Sequence, residues 1–171
     1  MRRPSLAAVL FLALTAAALT VACTRPELDA GAGNPTGEEL YADSFAEAAS
    51  GAWLLETDED GRSEIVDGAL VITVDVPNTI QFATLTEAEF ADFVAEVDVV
   101  QLQGDLQSSY GLLFRMQEDG RFYRFDITGD GRYIVEQRTI SGEWRRLTPD
   151  WRSSSALVSG LNSANRLRVE A

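Results

Sequence analysis

The feature that most constrains this chain is a succession of short runs, rich in β-branched and aromatic residues, that turn-forming residues interrupt. Ala69-Leu70-Val71-Ile72-Thr73-Val74 follows Ile65-Val66 and ends near Pro77-Asn78; residues 80–84 form another short run. Phe93-Val94-Ala95-Glu96-Val97-Asp98-Val99 alternates apolar and acidic residues with period two. Three further runs begin at Tyr110, Phe122 and Tyr133. Period two is the mark of a strand. Short strands at intervals of roughly 8–12 residues, with glycine in the turns, build a sandwich or a barrel. The only helical signals are single turns, at residues 46–49 and at residues 86–90 with Thr86 as the cap. Neither is long enough to make a layer.

Residues 110–138 can be carried to register. Asp119-Gly120 is a two-residue hairpin signal, which sets Met116 opposite Tyr123 and Phe114 opposite Phe125. In the next connection, a two-residue turn at Asp130-Gly131 would place Glu136 opposite Phe125 and bury a charge. A five-residue loop over residues 128–132 avoids this. It sets Ile127 opposite Tyr133, Phe125 opposite Val135, Arg124 opposite Glu136 and Phe122 opposite Arg138. One face is then apolar, carrying Leu112, Phe114, Met116, Tyr123, Phe125 and Ile127. The other interleaves Arg115, Arg124, Asp126, Glu136 and Arg138. That second face is either a solvated sheet surface with weak cross-strand ion pairs or a binding groove. In a groove, guanidinium forks and carboxylates would hydrogen-bond sugar hydroxyls, and Trp144, Trp151 or Tyr133 would stack on sugar rings. Trp53 is expected in the core.

The amino terminus carries a different message. Arg2 and Arg3 precede a run from residue 6 to residue 19 that is apolar except for Thr15. The run is too short for a bilayer of about 30 Å, which needs about 20 residues. Its order of charge, apolar core and small residues is that of a secretory signal. Leu19-Thr20-Val21-Ala22-Cys23 then resembles a bacterial lipobox, with Thr20 a departure from its usual leucine. The resemblance implies cleavage after Ala22 and diacylglycerol on Cys23, whose several acyl chains would hold the protein to a membrane. A plain cleaved signal beside an incidental Cys23 is the alternative. The Arg pair also admits a twin-arginine route, which Pro4-Ser5-Leu6 does not favour. The chain thus divides into a leader (1–22), an anchor and flexible tether (23–39) rich in glycine and proline, and a β-domain (40–171). Loss of the leader takes away two arginines and no acid, moving the net charge from −13 to −15.

Several chemistries are excluded by residue type. The chain has 14 Lys+Arg, all arginine, and no histidine. There is therefore no Ser-His-Asp triad, no imidazole base and no histidine metal ligand. One cysteine allows neither an internal disulfide nor a cysteine zinc site, and the negative charge argues against nucleic acid. Glu96 and Asp98 share one strand face and invite comparison with the Glu-x-Asp-x-x-Glu strand of family-16 glycoside hydrolases. Gln101 replaces the second glutamate, so an acidic outer strand face is the alternative. Asp126 and Asp130, followed by Gln137, are a near miss to a calcium loop, with a hairpin turn as the alternative. No cofactor is called for beyond that calcium possibility.

Asp43-Ser44-Phe45, Ser50-Gly51-Ala52-Trp53, Tyr110-Gly111-Leu112-Leu113-Phe114-Arg115, Phe122-Tyr123-Arg124-Phe125-Asp126-Ile127, Gly142-Glu143-Trp144 and Asn165-Arg166-Leu167-Arg168-Val169 together resemble bacterial concanavalin A-like lectin/glucanase domains. The likeness is to their laminin-G-like and 3-keto-disaccharide-hydrolase-like branch. It implies an all-β, antiparallel two-sheet jelly-roll sandwich that lacks its last strands, with Leu167 and Val169 less buried than their type suggests. Two functions follow as expectations. One is an extracytoplasmic, lipid-anchored binding module for carbohydrate or a surface protein, or a purely structural domain. The other is a glycan-processing hydrolase.

Overall fold

The computed structural model of the protein describes residues 6–11, 39–46, 51–86 and 89–171. Cys23, the tether as far as residue 38 and the rest of the leader lie outside the described residues. So do most of residues 46–49 and part of residues 86–90, the two helical-turn candidates. Among the described residues there are twelve strands and no helix, and every strand pairing is antiparallel. The strands are β1 (Leu6–Phe11), β2 (Trp53–Leu54), β3 (Gly61–Val66), β4 (Ala69–Val74), β5 (Thr84–Leu85) and β6 (Val94–Gln101). They continue with β7 (Ser109–Phe114), β8 (Phe122–Thr128), β9 (Arg132–Arg138), β10 (Trp144–Arg146), β11 (Arg152–Ser153) and β12 (Ala164–Glu170). One sheet runs β12-β6-β1-β4-β3; the second runs β10-β9-β8-β7, with β11 also on β9; β2 and β5 form a small ribbon.

The two large sheets share a core. Val97 and Val99 of β6 and Leu167 of β12 are buried with Tyr110 of β7 and Ile127 of β8, and Leu112, Phe125, Tyr133 and Leu157 pack around them. This is the apolar face that period-two alternation assigned to residues 110–138. Leu167 is only 2% exposed, against the expectation of poor burial, while Val169 is half-buried. The reason is geometric: Leu167 pairs with Val97 and points with it into the space between the sheets, even though β12 lies on a sheet edge.

Turns along the second sheet repeat one construction. Gly120, Gly131 and Gly142 all adopt positive φ, at 80°, 86° and 80°. Each donates its N–H three residues back, to the carbonyls of Gln117, Thr128 and Thr139. That is a three-residue loop, a type I turn closed by a left-handed glycine. For β8–β9 the observed register, with Ile127 opposite Tyr133 and Arg124 opposite Glu136, agrees with the five-residue loop read from sequence. For β7–β8 the register differs: Phe114 lies opposite Tyr123, and Leu112 opposite Phe125. Relative to a two-residue turn at Asp119-Gly120, the glycine loop adds one residue. A second is added at Arg115, which leaves the ladder with φ 52°. Two one-residue slips cancel in parity, so the side chains of β7 keep their faces while the pairing moves by two. Met116, which lies between the bulge and the turn and feels only one slip, leaves the core face expected for it and is 40% exposed.

The segment from Tyr41 to Phe45 forms a physical unit with Trp53. Asp43 accepts hydrogen bonds from the Phe45 N–H (2.7 Å), the Trp53 indole (2.9 Å) and the Tyr41 hydroxyl (3.0 Å). Burial opposes ionisation of Asp43, and these three bonds outweigh it, holding the carboxyl below its ordinary range. Phe45 is buried and lies 5.5 Å from Trp53 between ring centroids. Trp53 itself is half-buried.

Candidate ligand-binding face

The polar face of the second sheet is laid out in rows by the strand register. Trp144, Arg138 and Phe122 form one row; Arg146, Glu136, Arg124 and Leu113 form the next; Ile134, Asp126 and Gly111 form a third. Phe122, Asp126, Ile134 and Glu136 are all buried, so this is not the open solvated surface that alternation alone suggests. Apolar Phe122 and Ile134 belong to the same face, and Trp144 packs edge-on against Phe122 at 5.6 Å. Together they carry the charged groups out of water.

Arg124 is the centre of the arrangement. Its Nε lies 3.0 Å from Glu136 Oε2, to which Nη2 also donates, and its Nη1 lies 3.3 Å from Asp126 Oδ2. Its guanidinium carbon sits 3.9 Å from the centre of the Trp144 ring. One cation therefore answers two carboxylates and an aromatic ring at once, as a guanidinium can. Arg146 reaches Glu136 at 3.5 Å and Asp150 at 3.3 Å, with half its side chain exposed. Burial pushes the Asp126 carboxyl above its ordinary range; Arg124 and a hydrogen bond from Ser109 work against that, and Glu136 adds to it.

The structure thus brings Arg124, Asp126, Glu136, Arg138 and Trp144 together. Arg115 is apart from them, at the bulge, where it pairs with the exposed Asp92 at 3.5 Å. One face of Trp144 is taken by Arg124 rather than left free for a sugar ring. Arg146, Asp150 and Ser109 belong to the site and carried no motif. Gly142 is the local signal for Arg146, since a third glycine turn continues the alternation into β10.

Glu96 and Asp98 lie on the other sheet. Arg166 grips Asp98 through Nε and Nη2, at 2.8 and 2.6 Å, and Arg168 lies 3.3 Å from Glu96. The bond from Arg166 keeps Asp98 below its ordinary range. Both carboxylates are engaged by arginines of β12 on the outward face of that sheet, as in a cross-strand ladder of ion pairs. Asp130 is held by Arg132 at 3.0 Å and by the Thr128 hydroxyl within the β8–β9 turn. Asp126 faces Arg124 instead, so the two do not converge. Among the described residues no cluster of three or more acidic or cysteine side chains could hold a metal ion. No family model, no curated protein and no solved structure matches the chain.

Proposed function

We propose that the protein is an exported, lipid-anchored binding module that takes carbohydrate on the polar face of its second sheet, in a lectin-like jelly-roll sandwich. Cys23 is the attachment point and residues 24–39 the tether in this reading. The observation that supports it is the Arg124 network: Trp144, Glu136 and Asp126 fixed around one guanidinium, with Arg146 and Arg138 at its margin. Fixed donors and acceptors beside an aromatic edge suit sugar hydroxyls, and their rigidity lowers the ordering cost of binding. Half-exposed Arg146, whose two ion pairs are long, is the group free to turn toward a ligand. The engagement of Glu96 and Asp98 by arginines speaks against the hydrolase alternative.

The test is a glycan array probed with the full chain expressed in a bacterial host and solubilised in detergent, alongside Arg146→Ala. The expected result is binding to a restricted glycan class, lost in the variant at unchanged melting temperature. No binding to any glycan, or equal binding by the variant, would contradict the reading. Fatty-acid labelling that is abolished by Cys23→Ser checks the anchor separately.

A further inference from the structure

In the first sheet, β1 is the strand that joins β4 to β6: residues 6–10 pair with residues 70–74, and residues 8–11 with residues 98–101. No other described strand bridges β4 and β6. β1 also lies wholly within the apolar run read as a removable leader. We infer that the exported domain carries a one-strand slot between β4 and β6, and that this slot takes an extended apolar segment of another polypeptide. The inference rests on the leader reading within the proposed function.

Geometry sets the size of the slot. Neighbouring strands lie about 4.8 Å apart, so β4 and β6 are separated by about two spacings. Each is antiparallel to β1, so they run parallel to one another. Without an intervening strand, the β3–β4 hairpin has no ladder to the rest of the sheet. Two rows of backbone N–H and C=O groups are then unpaired, a strong template for strand addition. Closing the gap directly would drag Leu70 and Val99, each 2% exposed, out of their packing.

The flanking residues define the occupant. Its successive positions lie between Leu70 and Val99, between Val71 and Val100, and between Ile72 and Gln101. All six flanking residues are uncharged and at least half-buried. A five- or six-residue uncharged strand fits, antiparallel to both neighbours and free of proline, because both of its edges must hydrogen-bond. Among residues 23–171 no described segment is left over to supply such a strand. Residues 39–171 are placed elsewhere where described, and residues 24–38 hold Pro26, Pro35 and three glycines with no apolar run. The donor assigned to the slot is a second chain that carries such a segment.

A protease site inserted after Ala22 in the full chain permits the test. The folded protein is cut, the leader is removed by gel filtration, and amide hydrogen exchange is followed over β4 and β6. The expected result is loss of protection at residues 69–74 and 94–101. A synthetic peptide of residues 5–14, added in trans, should bind one to one and restore protection; the same peptide with Val9→Pro should not. If the cut protein unfolds throughout, refolding on addition of the peptide supports the slot and failure to refold overturns it. Protection that persists after the leader has left, or equal binding of the proline peptide, also overturns it. Intact mass of the protein recovered from cell membranes tests the leader separately: a retained leader would overturn filling by a second chain, while the result in vitro would still report on the slot.

Discussion

At the scale of single residues, Arg124 is the side chain on which most depends. It is 19% exposed and its partner Glu136 6%, so removing the cation strands two carboxylates in a low-dielectric setting. Breaking a buried pair by deleting one partner costs about 3–5 kcal/mol. Arg124→Ala should lower stability by about that amount in urea titrations, whereas Arg168→Ala, on an exposed pair, should change it by under about 1 kcal/mol. Similar effects from the two would refute the assignment. Asp126 adds a pH dependence. Burial raises its folded value above the ordinary 3.8, so the folded protein holds this proton more tightly than the unfolded chain does. Below 3.8 both states are protonated and the group is neutral toward stability. As pH rises through that value the unfolded chain ionises first, and stability falls until the folded group ionises too. Asp126→Asn should therefore gain on the parent protein between about pH 3 and about pH 7. Asp98, held low by Arg166, behaves oppositely: its contribution is present above 3.8 and is lost as pH falls. Unfolding midpoints of both asparagine variants at the two pH values check the signs.

At the scale of elements, the second sheet is set by its turns and by one close approach. Gly120, Gly131 and Gly142 recur with a period of eleven, and each supplies the left-handed residue that closes a loop. A side chain at Gly120 would meet open space, so Gly120→Ala should cost only the left-handed penalty of about 1–2 kcal/mol. Gly111 is different. A Cβ there would run into the Phe125 carbonyl of β8, which is backbone and cannot rotate away. Gly111→Ala should destabilise more than Gly120→Ala, and a reversed order in thermal melts would refute the close approach. Much of this was legible beforehand. The alternation of residues 122–138 determined the β8–β9 register, because a charge opposite Phe125 was the cost of the alternative. The β7–β8 register was not legible, because the Arg115 bulge has no composition signal. Asp-Gly was also ambiguous: Asp67-Gly68 forms a two-residue turn with both residues at positive φ, whereas at Asp119-Gly120 only the glycine is left-handed.

At the scale of the whole molecule, two opposing terms meet. The net charge of −13 repels itself, while twelve ion pairs among the described residues offset part of that locally. Most of those pairs are exposed and individually weak, so self-repulsion should dominate. Melting temperature should rise as salt is added to several times physiological strength, where charges beyond about 3–8 Å are screened; a fall would mean the pairs dominate. Sequence by itself determined the strand class, the core face of residues 110–138 and the places where the chain turns, because each is written in local periodicity and in residue type. Tertiary structure alone decided that Asp126 and Glu136 are buried beside a half-buried Arg124, that Leu167 is core, and that residues 6–11 lie between β4 and β6. Alternation says which way a side chain points, but burial and strand neighbours depend on what distant parts of the chain bring to that face.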